Sequence, residues 1–459
     1  MAHQETEYHL SHLESTDDEL LKLGAGLTIV PERQPYATRN TKRDRAPMGS
    51  INTLPIELIP EVILFLIPFT PSKIEMQDLR LQVTQICSSW RSVAFGTSEI
   101  WDMRRMDIKD ERMVDLIASW VRQCTCTGIA LTTAGRDQFS DRFLEGVVIP
   151  YAHKFKDLSC PEVPPGLWDS LRFDVLTTLN LRFTSSEMYP DDYLRAPLLR
   201  QLVLLGELRR HYTPIGSTLL QCLPKVSWGR LTSVSVLGSV SFDDIYGVLS
   251  LCMLLEHCEL KSVYDIDRFN GPVTPITLPH LEELQIRFES RLGSHRLSLL
   301  NLPSLVSFAT TFPSKQGNDF EEFLTFLTQN ATTLRHFEII EDGTPNIDYV
   351  DEIIRALPFA THFSAPRQHI SRPILAEIGS GERLRNLKTL GFSERGETGD
   401  EMLDALFPQK QHSNGGSSLS QVKIYRGEGY GVPSEERVRA LRSEGIGVEV
   451  VWLPFMLWD

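Results

Sequence analysis

One pattern constrains this chain more than any other: apolar-x-x-apolar-x-apolar, repeated along most of its length. Copies begin at Phe155 (with Leu158 and Cys160), Leu176 (Leu179, Leu181), Leu199 (Leu202, Leu204) and Leu231 (Val234, Val236). They continue at Leu255 (Cys258, Leu260), Leu281 (Leu284, Ile286), Leu305 (Phe308) and Leu334 (Phe337, Ile339). The last are Leu387 (Leu390, Phe392) and Leu419 (Val422, Ile424), and Phe363, after Pro358-Phe359-Ala360, is a degenerate copy that fills the gap near 360. Successive copies lie 21 to 32 residues apart. Side chains two apart on a strand share a face, so each copy reads as one short strand with a single apolar side.

One strand and its return cannot bury that side alone, and stacked neighbours can. This is the leucine-rich-repeat signature, with one short strand per repeat and variable returns. It predicts an α/β fold: an irregular solenoid with parallel strands on the concave face and helices or loops on the convex face. Helical returns are expected over 243–255, 319–329, 349–357 and 400–407, with Asp243, Asp319 and Asp400 as N-caps. Upstream, 115–123 reads as a helix and 128–131 as a strand. The C-terminus reads as a cap: a helix from Pro433-Ser434-Glu435-Glu436 with acids in its first turn, a stop at 445–447, a last strand at 448–452, and an apolar tail, 453–458. Residues 414–418 (Asn-Gly-Gly-Ser-Ser) read as a flexible loop. The regular motif carries Asn or Cys three places past its last apolar residue. Here Thr184, Glu207, Glu289, Asp342, Arg395 and Gly427 stand there, so no asparagine ladder exists and the curvature should be irregular. The competing architecture is an ordinary α/β domain with a leucine-rich sheet.

The chain before the repeats differs in kind. Residues 1–50 are mostly polar, with room for a turn or two of helix at 17–23. Arg39-Asn40-Thr41-Lys42-Arg43-Asp44-Arg45 is a basic cluster: a solvated linker, given Pro31, Pro35 and Pro47 around it, or a nuclear-import signal. Residues 51–105 read as a small helical domain, and 106–459 as the repeat body with its cap. Pro55 suits a first helical position, where its missing N–H would be unpaired anyway. Pro60 inside a helix would delete a hydrogen bond and clash one turn back. A single turn over 55–59 with the main helix restarting at Pro60 resolves this, and Pro68 and Pro71 end it. A second helix, 77–95, puts Leu79, Val83, Ile86/Cys87, Trp90 and Val93/Ala94 on one stripe.

Leu-Pro-x-Glu-Leu-x-x-x-Val at 54–62, then Val83-x-x-x-Cys87-x-x-Trp90-Arg91, then Ile100-Trp101, resemble the F-box motif. The whole chain resembles fungal F-box proteins with degenerate leucine-rich repeats behind the box. The motif spans 48 of the 459 residues, and its specificity lies in the order of its letters. The resemblance implies a box that docks on the adaptor Skp1, which joins a cullin-RING ubiquitin ligase, while the repeats capture a target protein. It implies docking through Leu54, Pro55, Leu58, Ile59, Val62, Val83, Cys87, Trp90 and Arg91. Pro60 and the insert 68–76 depart from the family pattern and bear on the geometry between the first two helices. A plain helical hairpin would instead hold Val83 and Trp90 as core. Leu54, Pro55, Leu58 and Ile59 separate the two, because an apolar end without a partner is a liability.

Other functions find little support. Net charge is −14 with a pI near 5.4, which argues against general nucleic-acid backbone binding. Seven cysteines, odd in number and sparse, fit reduced thiols in cytoplasm or nucleus. Residues 1–12 lack the apolar core of a signal peptide, and the longest apolar run, 62–72, is too short and too broken by prolines to cross a bilayer. No G-x-S-x-G, H-E-x-x-H or G-x-x-x-x-G-K-[ST] occurs. Cys124-Thr125-Cys126 has one intervening residue and no second pair, and Cys252, His257 and Cys258 coincide with a core position rather than a metal site. Gly427-Glu428-Gly429-Tyr430-Gly431 mimics a phosphate loop, but the dinucleotide fingerprint wants glycine where Val432 stands. The expectation is a non-enzymatic, cofactor-free and metal-free substrate adaptor of a Skp1–cullin–F-box ligase. The alternatives are a repeat scaffold without ligase association and, more remotely, a nucleotide enzyme.

Overall fold

The computed structural model describes residues 55–66, 83, 86–97, 105–108, 114–123, 128–133, 141–160, 168–182, 193–206, 225–264, 274–288, 294–311, 319–340, 347–366, 370–393, 399–407, 418–426 and 433–452. From Ile56 onward the chain forms one compact unit.

The unit is α/β and is organised on one fourteen-stranded parallel sheet. Its strands are β1 (Arg105–Ile108), β2 (Ile129–Thr133), β3 (Phe155–Cys160), β4 (Thr178–Arg182), β5 (Gln201–Leu205), β6 (Ser233–Ser241) and β7 (His257–Tyr264). A short β8 (Ile276–Thr277) precedes β9 (Glu283–Phe288), and a short β10 (Leu300–Asn301) precedes β11 (Ser307–Thr311). The sheet goes on through β12 (His336–Ile340), β13 (His362–Pro366), β14 (Thr389–Ser393), β15 (Gln421–Arg426) and β16 (Gly447–Trp452). Each strand pairs with the next in chain order, except that β8 and β10 leave to pair with each other. Parallel neighbours need a crossover each time, so every repeat carries its own return.

Register explains why the apolar pattern recurs. Leu131, Leu158, Leu179, Leu202, Val234, Cys258, Leu284, Phe308, Phe337, Phe363, Leu390, Val422 and Val448 pair one to the next in a single file across the sheet. None is more than 7% exposed. Burying side chains of this size contributes about 1.5–3 kcal/mol each. The helical returns close over this face: in helix Asp319–Asn330, Phe323 and Phe326 lie 6.3 and 5.2 Å, ring to ring, from Phe308. Phe363, the degenerate copy, sits in full register.

Two backbone devices join the repeats. Four turns of the form Leu/Ala-Pro-x-Leu/Ala lead into strands: 196–199, 278–281, 302–305 and 357–360. In each the fourth N–H donates to the first carbonyl, at 3.2, 3.4, 3.1 and 3.1 Å, with proline presetting the second position. Just before the strand, one carbonyl accepts from two successive N–H groups of the next repeat. Thr177 O takes Arg200 and Gln201 at 2.9 and 3.0 Å, and the arrangement recurs nine times, ending with Lys388 O and the N–H groups of Ser420 and Gln421. This main-chain ladder needs no side chain. The positions examined for an asparagine ladder, Thr184 to Gly427, lie outside the described residues.

Several local expectations need correction. The N-cap before helix Phe242–Leu249 is Ser241, whose Oγ accepts from Asp244 N, while Asp243 lies in the first turn and pairs with Arg296. That helix stops at Leu249, short of 255. Asp319 is a first helical residue. Asp400 is the second residue of helix Gly399–Leu406, and its carboxylate accepts from the N–H and Oγ of Ser434, at 2.8 and 3.1 Å, in the following return. Acids in a first turn are favoured by the helix dipole whether or not they cap, so spacing alone misplaced these three. The last helix, Glu435–Ser443, starts where it was read, with acids in its first turn, and Ser434 caps it. Helix Arg372–Gly379, capped by Ser371, was not anticipated.

The first described segment contains two short helices. A 3-10 turn, Ile56–Leu58, leads into helix Ile59–Leu66 with Pro60 in the first turn, one residue earlier than the sequence suggested. The expected single helix over 77–95 is interrupted. Val83 and Ile86 are helical, Cys87 is extended (φ −159, ψ 174), and a new helix runs Ser88–Gly96. Ser88 and Ser89, whose hydroxyls compete for backbone partners, stand at the break.

Candidate functional site

The residues implied in docking fall into three groups. Ile59, Val83 and Trp90, with Ile63 and Ala94, are buried. They are the core of the helical pair and offer no surface in this conformation. Val62 and Cys87 are half-buried, while Pro55, Leu58 and Arg91 are exposed. Leu54 lies outside the described residues. Three exposed apolar residues are not among the implied docking residues: Leu64, Ile86 and Phe65, the last 90% exposed. Helical spacing carried the signal. Ile59 and Ile63 form the buried stripe, and Leu58, Val62 and Phe65, at i, i+4 and i+7, form a second apolar stripe turned outward. Trp90 Nε1 is buried without a hydrogen-bond partner among the described residues.

A second feature lies on the open face of the sheet, away from the helices. Between β11 and β15 a depression of about 220 Å³ is floored by Ala309, Ser364 and Gly391, with Ser307, Thr389, His336, His362, Glu338, Lys423 and Tyr425 around it. It exists because small residues stand in register: Ser364 pairs with Gly391, and Gly391 with Lys423. A Cβ on Gly391 would come within 2.7 Å of Ser364 Oγ and 3.1 Å of the Tyr425 ring, so glycine lets Tyr425 lie across the floor. His336 and His362 meet edge to face, 4.1 Å between ring centres, and His362 Nδ1 lies 2.9 Å from Thr361 Oγ1. Lys423 Nζ lies 3.5 Å from Glu449, which also accepts from Gln421 Nε2 at 3.0 Å.

The depression alters its own titrating groups. Glu338 keeps contact with water, yet protein crowds it on the sheet side, and this burial lifts its carboxyl above the ordinary range against the opposing charge of Arg287. Burial, then His336, Lys423 and Lys388, lower the pKa of His362. Burial, then Glu338, raise that of Tyr425.

Three of the described cysteines, Cys160, Cys252 and Cys258, are buried. Cys258 stands in the buried file and Cys252 beneath it in the core; burial pushes the thiols of Cys160 and Cys252 up to about 12 and that of Cys258 higher still. His257 points to the other face and pairs with Glu283 at 3.2 Å. Among the described residues no group of His, Cys, Asp and Glu is placed to hold a metal ion, and no helix is long and apolar enough to cross a membrane. Cys124, Cys126 and the glycine run 427–431 lie outside the described residues. No family model matches the chain, and no curated protein matches it.

Proposed function

We propose that the chain is a substrate-receptor subunit of a Skp1–cullin–F-box ubiquitin ligase. In this reading the helices around Leu58 and Phe65 dock on the Skp1-type adaptor. The sheet is an irregular leucine-rich-repeat solenoid that captures a target protein. No residue of the chain catalyses ubiquitin transfer; it acts by holding a lysine of the target near the charged conjugating enzyme, raising effective concentration.

The observation that carries the reading is the outward apolar stripe. Its ends, Leu58 and Phe65, are exposed by 44 and 90%, and Leu64 and Ile86, off the stripe, by 39 and 45%, on helices whose other apolar stripe is already buried. Such a surface marks an interaction site, and it falls where the sequence resembles the box. The sequential parallel order of the strands and the single apolar file support the solenoid. Co-purification of the intact chain with the adaptor tests the proposal. The adaptor should be retained by the full chain and lost when 51–105 is deleted. A target bound equally with and without that segment, and no adaptor in either case, would leave a repeat scaffold outside any ligase.

A further inference from the structure

The depression between β11 and β15 combines features that choose a ligand. Its lining carries one carboxyl group, Glu338, and one lysine amine, Lys423. Lys423 is engaged by Glu449 at 3.5 Å. His362 is occupied by Thr361 and by the edge of His336. Glu338 has neither a hydrogen bond nor an ion pair among the described residues. Arg287 is close enough to act on it electrostatically but forms no ion pair with it. Some acids are matched, Asp243 by Arg296 and Asp351 and Glu377 by Arg383, and these are less exposed than Glu338. A crowded carboxylate left open invites a cationic donor, because charge-assisted hydrogen bonds are stronger than neutral ones. The Tyr425 ring beside it offers a face to the same cation, and Ser307, Ser364 and Thr389 offer hydroxyls. At about 220 Å³ the space falls below the roughly 300–1,000 Å³ of cofactor-sized pockets. It suits the end of one side chain.

We propose that this depression is the recognition pocket for a basic side chain, arginine or lysine, of the captured protein. The ammonium or guanidinium sits against the Glu338 carboxylate and the Tyr425 ring, above the floor of Ala309, Ser364 and Gly391. The inference rests on the reading of the sheet as a capturing surface, and it is independent of whether the helices dock on an adaptor. The net charge of −14 favours a basic partner generally; the pocket adds where one of its charges goes.

The test uses the full-length protein and four blocked amino acids at millimolar concentration: the N-acetyl methylamides of arginine, lysine, leucine and glutamate. Saturation-transfer NMR should report the two cations and neither of the others. Glu338→Gln, isosteric at a position that water already reaches, should weaken the cation signal about tenfold, the scale of a lost charge-assisted hydrogen bond. Glu352→Gln, an exposed acid on helix Ile347–Ala356, should leave it intact. Equal saturation of the leucine or glutamate probe overturns the assignment without any variant, and so does a cation signal indifferent to Glu338→Gln. Adaptor co-purification is read separately, so either proposal can fail while the other stands.

Discussion

The sheet and the helical pair treat their apolar residues in opposite ways. Along the sheet, thirteen successive strands each hide one residue of the same file, and the other face is polar, with His336, Glu338, Ser364 and Lys423 in view. In the helical pair the apolar residues divide: Ile59, Ile63, Val83 and Trp90 go in, and Leu58, Leu64, Phe65 and Ile86 stay out. Each strand finds its partner in the next repeat of the same chain. The outward stripe of the helices finds none among the described residues. A surface of that kind persists when its partner is another molecule, which is why the proposal puts docking on the helices and not on the far larger sheet.

That contrast can be broken by matched substitutions. Phe337→Ala, in the middle of the file, should cost about 3–5 kcal/mol, and Phe65→Ala should change stability by no more than about 0.5 kcal/mol. Urea unfolding reads both, and similar losses would mean that Phe65 is core after all. Next in size, Gly391→Ala must displace Ser364 or Tyr425 and should cost about 1–3 kcal/mol, while closing the depression to the arginine probe. Ser434→Ala removes the cap of the last helix and the hydroxyl's bond to Asp400, leaving the N–H bond, and should cost about 1 kcal/mol in the same assay. The smallest effect near neutral pH comes from the thiols. The folded protein holds Cys160 and Cys252 protonated to about 12, against 9.0 for an ordinary thiol. Above 9 the folded state therefore binds more protons than the unfolded, and stability falls as pH rises from 9 toward 12. At pH 8, site-resolved alkylation should spare Cys160, Cys252 and Cys258 and label half-buried Cys87; rapid labelling of the first three would contradict their place in the sheet.

How far the sequence could be read follows from what each signal depends on. The file was legible because strand register converts period two into burial, and copies such as Cys258 and Phe363 repeat it. The returns were half-legible. Apolar spacing gave helices at 319–329 and 349–357, found at 319–330 and 347–356, but the caps at 241 and 371 were missed, since serine before a helix looks like serine in any turn. The break at Cys87 was invisible because Val83, Ile86 and Trp90 keep a helical spacing across it. The open-face depression left no sequence trace at all: Ala309, Ser364 and Gly391 come together only through register across β11, β13 and β14. The outward stripe was legible in part. Leu58 was placed among the docking residues and Phe65 was not, because apolar density alone does not tell which of two stripes the neighbouring helix covers.

Direct binding of the purified adaptor to the intact chain, followed by calorimetry, tests the docking claim most directly. The unaltered chain should bind, and the Leu58→Asp/Phe65→Asp double variant should not. Phe359→Asp, at an apolar position in the repeat body as exposed as Leu58, should bind like the unaltered chain. Adaptor binding that survives the double variant, or that Phe359→Asp abolishes, would contradict the assignment of the docking end to the helical pair.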